Sequence, residues 1–342
     1  MNNSDLPITP ARNGLTYAIF LIIFLGILLI LAWRLSDVLL LLFGSIIIAV
    51  SLRAFAVTLQ RYLNLPLKLT VVLSVIVVLA FMILTTWLVG ARLIEQADDL
   101  KIKLPEALKA LIIWIRSYPV GVAMLKLLDG ADIADVPWSS VADVATKTFG
   151  ALGSIGLISI VGVYLAADPD LYRKGFIQLI PIDYRERIEG AMLASGHALL
   201  QWLMAQGISM VFVGVSTAVG LMLVGAQMSL TLGLIAGILA FIPFFGPIAS
   251  GLLAIVLSFM EGPTHALYVA GVCILIQVIE GNFLMPFIQK WAVQMPPVLA
   301  ITAAVIFGLL FGLPGVILAT PLMVIVIVLI RKLYIESVLE TV

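Results

Sequence analysis

A chain of 342 residues with 63% hydrophobic and only 11% charged side chains has too little polar surface to cover a water-soluble particle; soluble proteins carry about 25% charged residues. Nineteen basic and nineteen acidic residues cancel to a formal net charge of zero, so the basic field that nucleic-acid binding requires is absent. The composition therefore points to an all-α, polytopic helical membrane protein whose first partner is the lipid bilayer.

A hydrocarbon core about 30 Å thick takes roughly 20 apolar residues of helix. The runs that qualify are 15–33, 38–57, 67–90, 149–167, 206–224, 228–260, 264–286 and 298–330, about eight membrane segments. The first run follows the polar stretch MNNSDLPITPARNG, lacks a small-residue cleavage site, and is succeeded at once by a second run after Arg34. This start reads as a membrane hairpin rather than a cleaved signal peptide. The expected organisation is three N-terminal spans in 1–90, an extracytoplasmic amphipathic helical segment in 91–148 and a further span in 149–168. A cytoplasmic amphipathic segment in 169–205, a C-terminal membrane core of broken helices in 206–334 and a cytoplasmic tail in 335–342 complete it.

Arg12, Arg53, Arg61, Lys68, Arg173, Lys174, Arg185, Arg187, Lys290, Arg331 and Lys332 all fall on one side of this arrangement, and the short loops of the other side hold Arg34 alone. By the positive-inside rule both termini are cytoplasmic in a multi-pass protein of the cell (inner) membrane. The 91–148 segment carries seven basic and eight acidic residues, a balance that argues against a membrane-surface helix. Within it Leu93, Ala97, Leu100, Leu104, Leu108, Leu111 and Ile115 recur at spacings of three and four, one apolar stripe on a helix that Pro105 is expected to restart. The stripe can bury itself on its own subunit or along a seam between subunits. On the cytoplasmic side, Pro181 starts a helix that Asp183 is placed to cap, with Arg185 and Arg187 available to anionic headgroups.

Two of the long runs are interrupted. Segment 228–260 holds Pro243-Phe244-Phe245-Gly246-Pro247 at its middle, and segment 298–330 holds Gly308, Gly312, Pro314, Gly315 and Pro321. Proline removes a backbone donor and glycine lets the chain turn, so each segment is expected to be a broken helix or a helical hairpin. Irregular backbone at membrane depth survives only where protein buries it or it lines a wet cavity. The candidate hinges are Pro243, Gly246, Pro247, Gly312, Pro314, Gly315 and Pro321. Gly308 and Gly312 also form a GxxxG pair suited to close helix approach.

The candidate site for solute or ion is Glu280. A charged side chain at the bilayer centre costs roughly 2.5–3.5 kcal/mol on insertion scales, and such groups face a cavity, a partner or an ion path. Gln277 lies one turn earlier on the same face, Asn282 can join if Gly281 opens the helix, and Pro286 ends or kinks it. A hydrogen-bonded clamp between helices is the structural alternative for Glu280. No catalytic residue, metal site or cofactor is expected: His197 and His265 have no carboxylate or cysteine at ligand spacing, and phosphate-loop, HExxH and GxSxG motifs are absent from the sequence. Cys273, the single cysteine, sits in the apolar run VAGVCILIQV and reads as a buried thiol.

The charged stretch after Pro181, the IPFFGP break, QVIEGNFLMP, the following Pro296-Pro297 and GLLFGLPGVILATPL occur in an order that resembles the AI-2E (autoinducer-2 exporter) family of bacterial membrane transport proteins. The likeness covers most of the chain, best from about 160 to 334. Gln289–Pro296 departs from the pattern, in which a glycine commonly lies between Pro286 and the later proline. The resemblance implies about eight membrane segments, a homo-oligomer, and transport driven by an ion gradient or by the solute's own gradient. Members are associated with export of a quorum-sensing signal, others with sodium/proton exchange. The leading expectation is thus a secondary transporter exporting small organic molecules, a signalling metabolite such as autoinducer-2 among them, with H+ or Na+ as coupling ion. A cation/proton antiporter, a channel-like oligomeric pore and a membrane scaffold are the alternatives.

Overall fold

The computed structural model describes residues 34–118, 156–290 and 295–339, with isolated positions between 23 and 31. Most of the expected first span, the segment 119–155 and the last three residues of the expected tail lie outside the described residues. Every regular element among those described is helical, and the chain has an all-α polytopic membrane fold. Its faces bear this out: Ile76, Tyr164, Val211, Ile248, Leu267, Ile274 and Leu309 are all exposed. An outer surface of this kind suits hydrocarbon rather than water.

Helix α1 (Ser36–Leu63) stops at Asn64, whose left-handed backbone (φ 53°, ψ 31°) suits a short polar side chain. After Pro66 the chain returns as α2 (Leu67–Arg116). Ala49, Leu52 and Ala56 of α1 pack on Val71 of α2 and on Ala166. Ala166 belongs to α3 (Gly156–Ala167), which runs alongside α1 in the same direction. Gly162 makes that approach possible, since a Cβ there would lie 2.8 Å from Ile48. Arg53 then donates to the Ala166 carbonyl at 3.1 Å.

With 50 residues at about 1.5 Å each, α2 is far longer than a bilayer is thick. It passes straight through Pro105, so the expected restart does not occur. Proline's fixed φ is already helical, and the missing donor costs one backbone bond. Packing on either side offsets it. Leu104 and Ala107 join Leu221, Leu232, Ala254, Leu257 and Val269 in one cluster, and Trp114 meets Phe259 with ring centroids 5.4 Å apart. The described part of the amphipathic stripe, Leu104, Leu108, Leu111 and Ile115, is half-buried, with Leu104 packed on its own chain; the side chains of Leu93, Ala97 and Leu100 lie outside the described residues.

Short α4 (Pro169–Gln178) leads into α5 (Ile182–Leu223), a continuous helix of 42 residues. No break separates the expected 169–205 segment from the expected 206–224 span. Asp183 makes no capping bond; Pro181 occupies the cap position and Asp183 lies in the first turn, where its charge favours the helix dipole. Arg185 donates to the carbonyls of Ile180 and Gln178 at 2.9 and 3.1 Å, and Arg187 donates to the Leu333 carbonyl. These arginines satisfy helix ends of their own chain. Arg173 pairs with Asp170 and Glu189 at 2.9 and 3.3 Å.

Beyond α5 come α6 (Ser229–Leu239), α7 (Phe245–Ser258), a 3-10 turn (Phe259–Glu261) and α8 (Pro263–Ile279). A π-helical turn (Glu280–Leu284) and α9 (Met285–Gln289) continue α8. Last is α10 (Pro297–Ile330), interrupted at Gly312 (φ 65°, ψ −148°), followed by a π-helical stretch (Arg331–Leu339). The two arms of α10, 297–311 and 313–330, fold back on each other. Ala303 and Ala304 pack on Ala319, and Phe307 and Val316 lie beside them. A Cβ on Gly315 would fall 2.0 Å from the Phe307 carbonyl oxygen. Gly308 and Gly312 are therefore not a pair on one face: Gly312 makes the reversal, and Gly308 sits opposite Val316.

Candidate functional site at the broken helix

Helices α5 and α6 are antiparallel and nearly touch at their backbones. A Cβ on Gly214 would lie 3.2 Å from the Gly237 Cα, and one on Gly233 would lie 2.5 Å from the Ala218 Cβ. Small residues are what permit such an approach where hydrophobicity gives no advantage to helix association. It holds the end of α6 against the middle of α5. There Gln206, on α5, donates its amide to the Ala240 carbonyl at 2.5 Å. Trp202, one turn before Gln206, meets Phe241 edge-on at 5.7 Å, and Val324 of α10 packs in the same cluster as Trp202.

The chain then reverses through Pro243-Phe244-Phe245. The Phe245 N–H donates to the Pro243 carbonyl at 2.8 Å, closing a three-residue γ-turn with Phe244 at φ 66°, ψ −51°. This is the strained hand of the γ-turn, rare for any side chain and more so for an aromatic one. Gly246 follows at a point where a Cβ would lie 1.8 Å from the Leu239 carbonyl oxygen. The arms α6 and α7 are thus a hairpin whose tip lies beside α5.

Glu280 comes to this tip from α8. Its carboxylate is 7% exposed and accepts a hydrogen bond from the Ser209 hydroxyl, 1% exposed, on α5. Gln206 and Ser209 are three residues apart and share a face, so one turn of α5 holds the hairpin tip with the first and the carboxylate with the second. The π-helical turn begins at Glu280, and Met285 donates to the Glu280 carbonyl, five residues back. Pro286 explains the widening: it has no donor for the carbonyl four residues back, and its ring crowds that carbonyl. Single π-turns of this kind recur at functional sites.

The remaining expected residues go elsewhere. Gln277 lies beside the Glu280 carboxylate one turn away on the same helix, and its side chain is exposed. Asn282 is exposed too and donates to the Val278 carbonyl at 2.9 Å; it does not reach Glu280. Both amides line an outward-facing groove between α7 and α8, together with Pro247, Ile248, Leu252 and Cys273. Cys273 is half-buried there. Pro243 is half-buried, Gly246, Gly315 and Pro321 are buried, and Gly312 and Pro314 are exposed. The α10 hairpin meets the site through Val324, not through Gly312. Sequence reasoning missed Gln206 and Ser209. Their signal was a polar pair at helical spacing in an otherwise apolar run, AQGISMVF. His265 pairs with Glu261 at 2.9 Å, and no cluster of metal-ligating side chains occurs among the described residues.

A bundle of apolar helices with folded-back arms and a buried carboxylate at the break has the build of a membrane transport protein. The chain belongs to the AI-2E transporter family: the model of "AI-2E family transporter" matches residues 18–335. It is 25% identical to the "Putative transport protein YueF" of Bacillus subtilis over 191 residues, 55% of this chain and 52% of that protein. It is 30% identical to the "Putative transport protein YrrI" of the same organism over 158 residues, 46% of this chain and 45% of that one. With the "Putative transport protein MT0215" of Mycobacterium tuberculosis it shares 28% over 142 residues, 41% and 39% of the two chains. The chain spans about half the length of the curated relatives it matches.

Proposed function

We propose that this membrane transporter is a secondary exporter of small organic molecules across a bacterial inner membrane, both termini being cytoplasmic. The observation that carries the reading is the Ser209–Glu280 hydrogen bond beside the Pro243–Pro247 break. A carboxylate at membrane depth is kept where its protonation or its partner matters. Here its one interhelical partner stands on the same turn of α5 that grips the hairpin tip. Gain or loss of a proton at Glu280 changes what Ser209 can donate to, and the tip is free to respond because its backbone is already irregular. The hairpin α6–α7, with Pro243, Gly246 and Pro247 as hinges, is the moving part; the α10 hairpin, with Gly312, Pro314, Gly315 and Pro321, is the second. Alternating access follows from rocking these arms against α5. The working unit is a homo-oligomer, and a signalling metabolite such as autoinducer-2 belongs to the solutes to be tested.

The test is untargeted profiling of the medium of cells carrying wild type, a deletion or Glu280→Gln at matched membrane levels. Loss of the same solute in both mutants supports export and names the solute. If both match wild type, the exporter reading fails; sodium- or proton-exchange in vesicles then tests the antiporter alternative.

A further inference from the structure

The groove between α7 and α8 has a chemistry of its own. Its walls include Pro247, Ile248, Leu252, Ile274, Gln277 and Asn282, along an open groove of about 460 Å³. The groove is open along one side, so a molecule lying in it keeps one face outward. Its lining holds no charged side chain, and the only strongly polar groups are the carboxamides of Gln277 and Asn282.

Depth makes those two amides informative. Gln277 is the fifteenth residue of α8, about 21 Å along its axis at 1.5 Å per residue, which is well inside a bilayer. Exposed amides in hydrocarbon have unmet hydrogen-bonding capacity, which costs free energy. Lipid tails cannot meet it. Asn282 satisfies one donor on the Val278 carbonyl and Gln277 has the Glu280 carboxylate beside it, which leaves the oxygen and one N–H of each amide. The same groove is bounded by two irregularities of the backbone: Pro247 follows the γ-turn, and Asn282 lies within the π-helical turn. Open, irregular backbone at membrane depth is characteristic of the walls of a binding site.

We infer that this groove takes an uncharged amphiphile: a molecule with an apolar body lying against Ile248, Leu252 and Ile274, and a neutral hydrogen-bonding head held by Gln277 and Asn282. It enters sideways, because the groove is open along the exposed outer faces of α7 and α8. A charged head is disfavoured, since no lining side chain offsets its charge at this depth. The inference rests on the transport reading for its purpose and sets the class of solute: neutral, amphiphilic and loaded from the membrane.

The experiment uses the full chain in lipid nanodiscs and a ten-carbon primary amide with a mid-chain diazirine. The same chain ending in a methyl group, and the same chain ending in a carboxylate, are the comparison probes. After irradiation, adducts are mapped by mass spectrometry. Expected is enrichment of the amide probe in peptides covering 247–255 and 273–282 by about fivefold over the hydrocarbon probe, the ratio one net hydrogen bond gives. Gln277→Leu with Asn282→Leu reduces it to the hydrocarbon level, while Tyr62→Phe on α1 leaves it unchanged. An amide probe distributed like the hydrocarbon, or a carboxylate probe equally enriched, overturns the inference. So does a groove closed to every probe in which Gln277→Cys forms disulfide-linked dimers, the result of a second copy seated there. Export profiling separates the two readings. If labelling stands but the leucine pair leaves every exported solute unchanged, the site binds amphiphiles and its place in transport is what fails. If labelling disperses while Glu280→Gln still abolishes export, the groove inference fails alone.

Discussion

The Ser209 hydroxyl on α5 donates to the carboxylate of Glu280, 71 residues later in the chain, and both side chains are buried. Removing the donor leaves an acceptor without its interhelical partner. Ser209→Ala is therefore expected to lower the thermal midpoint of the solubilised protein. A double-mutant cycle with Glu280→Leu, which removes the acceptor, should return a coupling of about 0.5–2 kcal/mol, the span found for hydrogen bonds between membrane helices. A coupling near zero means that the pair does not hold α8 to α5.

Glu280→Gln separates hydrogen bonding from charge. The amide oxygen still accepts from Ser209, so stability changes little, but no proton can be gained or lost at this position. Export of the solute identified by profiling is expected to lose its dependence on an imposed proton gradient while keeping any flux down the solute's own gradient. Measurement in right-side-out vesicles with and without the gradient decides it. Unchanged gradient dependence removes Glu280 from coupling.

Phe244 stands at positive φ with its side chain exposed. Left-handed backbone costs a non-glycine residue roughly 1–2 kcal/mol, and little packing is lost when the ring is removed. Phe244→Gly is expected to be more stable than Phe244→Ala by about that amount, although glycine is ordinarily the more costly residue to fix. Equal melting temperatures for the two variants would show that the γ-turn relaxes when the ring is gone.

Much of this was legible in the sequence because apolar runs, prolines and glycines act locally. Pro243 and Pro247 have no N–H for the carbonyls four residues back, so the break between α6 and α7 could be read directly. Glu280 announced itself by its cost. What escaped depended on which helix comes next to which. Gln206 and Ser209 are unremarkable until α6 is laid along α5 by Gly214, Gly233 and Gly237. The continuity of α2 through Pro105 was hidden for a similar reason, since the residues that stabilise the helix there, Leu232, Ala254 and Val269, come from distant segments. Gly308 and Gly312 matched a helix-packing pattern, and only the backbone angle at Gly312 assigns it to a reversal instead.

The glycines divide into those that carry close backbone approaches and those that do not. A Cβ on Gly315 would fall 2.0 Å from the Phe307 carbonyl oxygen, and one on Gly246 would fall 1.8 Å from that of Leu239. Gly315→Ala and Gly246→Ala must push the arms of their hairpins apart, and each is expected to cost more than about 3 kcal/mol or to prevent assembly in the membrane. Gly196, inside α5 with open space at its missing Cβ, is the control. Gly196→Ala is expected to stabilise by about 0.5–1 kcal/mol through helix propensity. Fluorescence-detected gel filtration over a temperature series ranks the three.

The far end of α2 holds both roots of the α6–α7 hairpin. Lys103 donates to the Gln227 side chain at 3.3 Å, just before α6. The Gln227 N–H donates to Glu261 at 3.2 Å, just after α7, and Glu261 pairs with His265 of α8. Leu104 and Ala107 bury the contact beneath these polar groups. A tip that moves needs roots that do not, so undocking α2 should impair export even though its distal end is far from Glu280. Leu104→Asp places a charge in an apolar cluster and is expected to cost about 2–4 kcal/mol there. Trp114→Ala removes two aromatic pairs, with Tyr118 and with Phe259, of which only the second crosses from α2, and that one should cost about 1 kcal/mol. Tryptic cleavage between Lys103 and Arg116 in sealed vesicles reports the undocking. Export should fall in the order of cleavage, Leu104→Asp well below Trp114→Ala. Were export instead to persist in a Leu104→Asp protein whose α2 is fully cleavable, the roots would not need anchoring, and the hairpin would have to move as a whole.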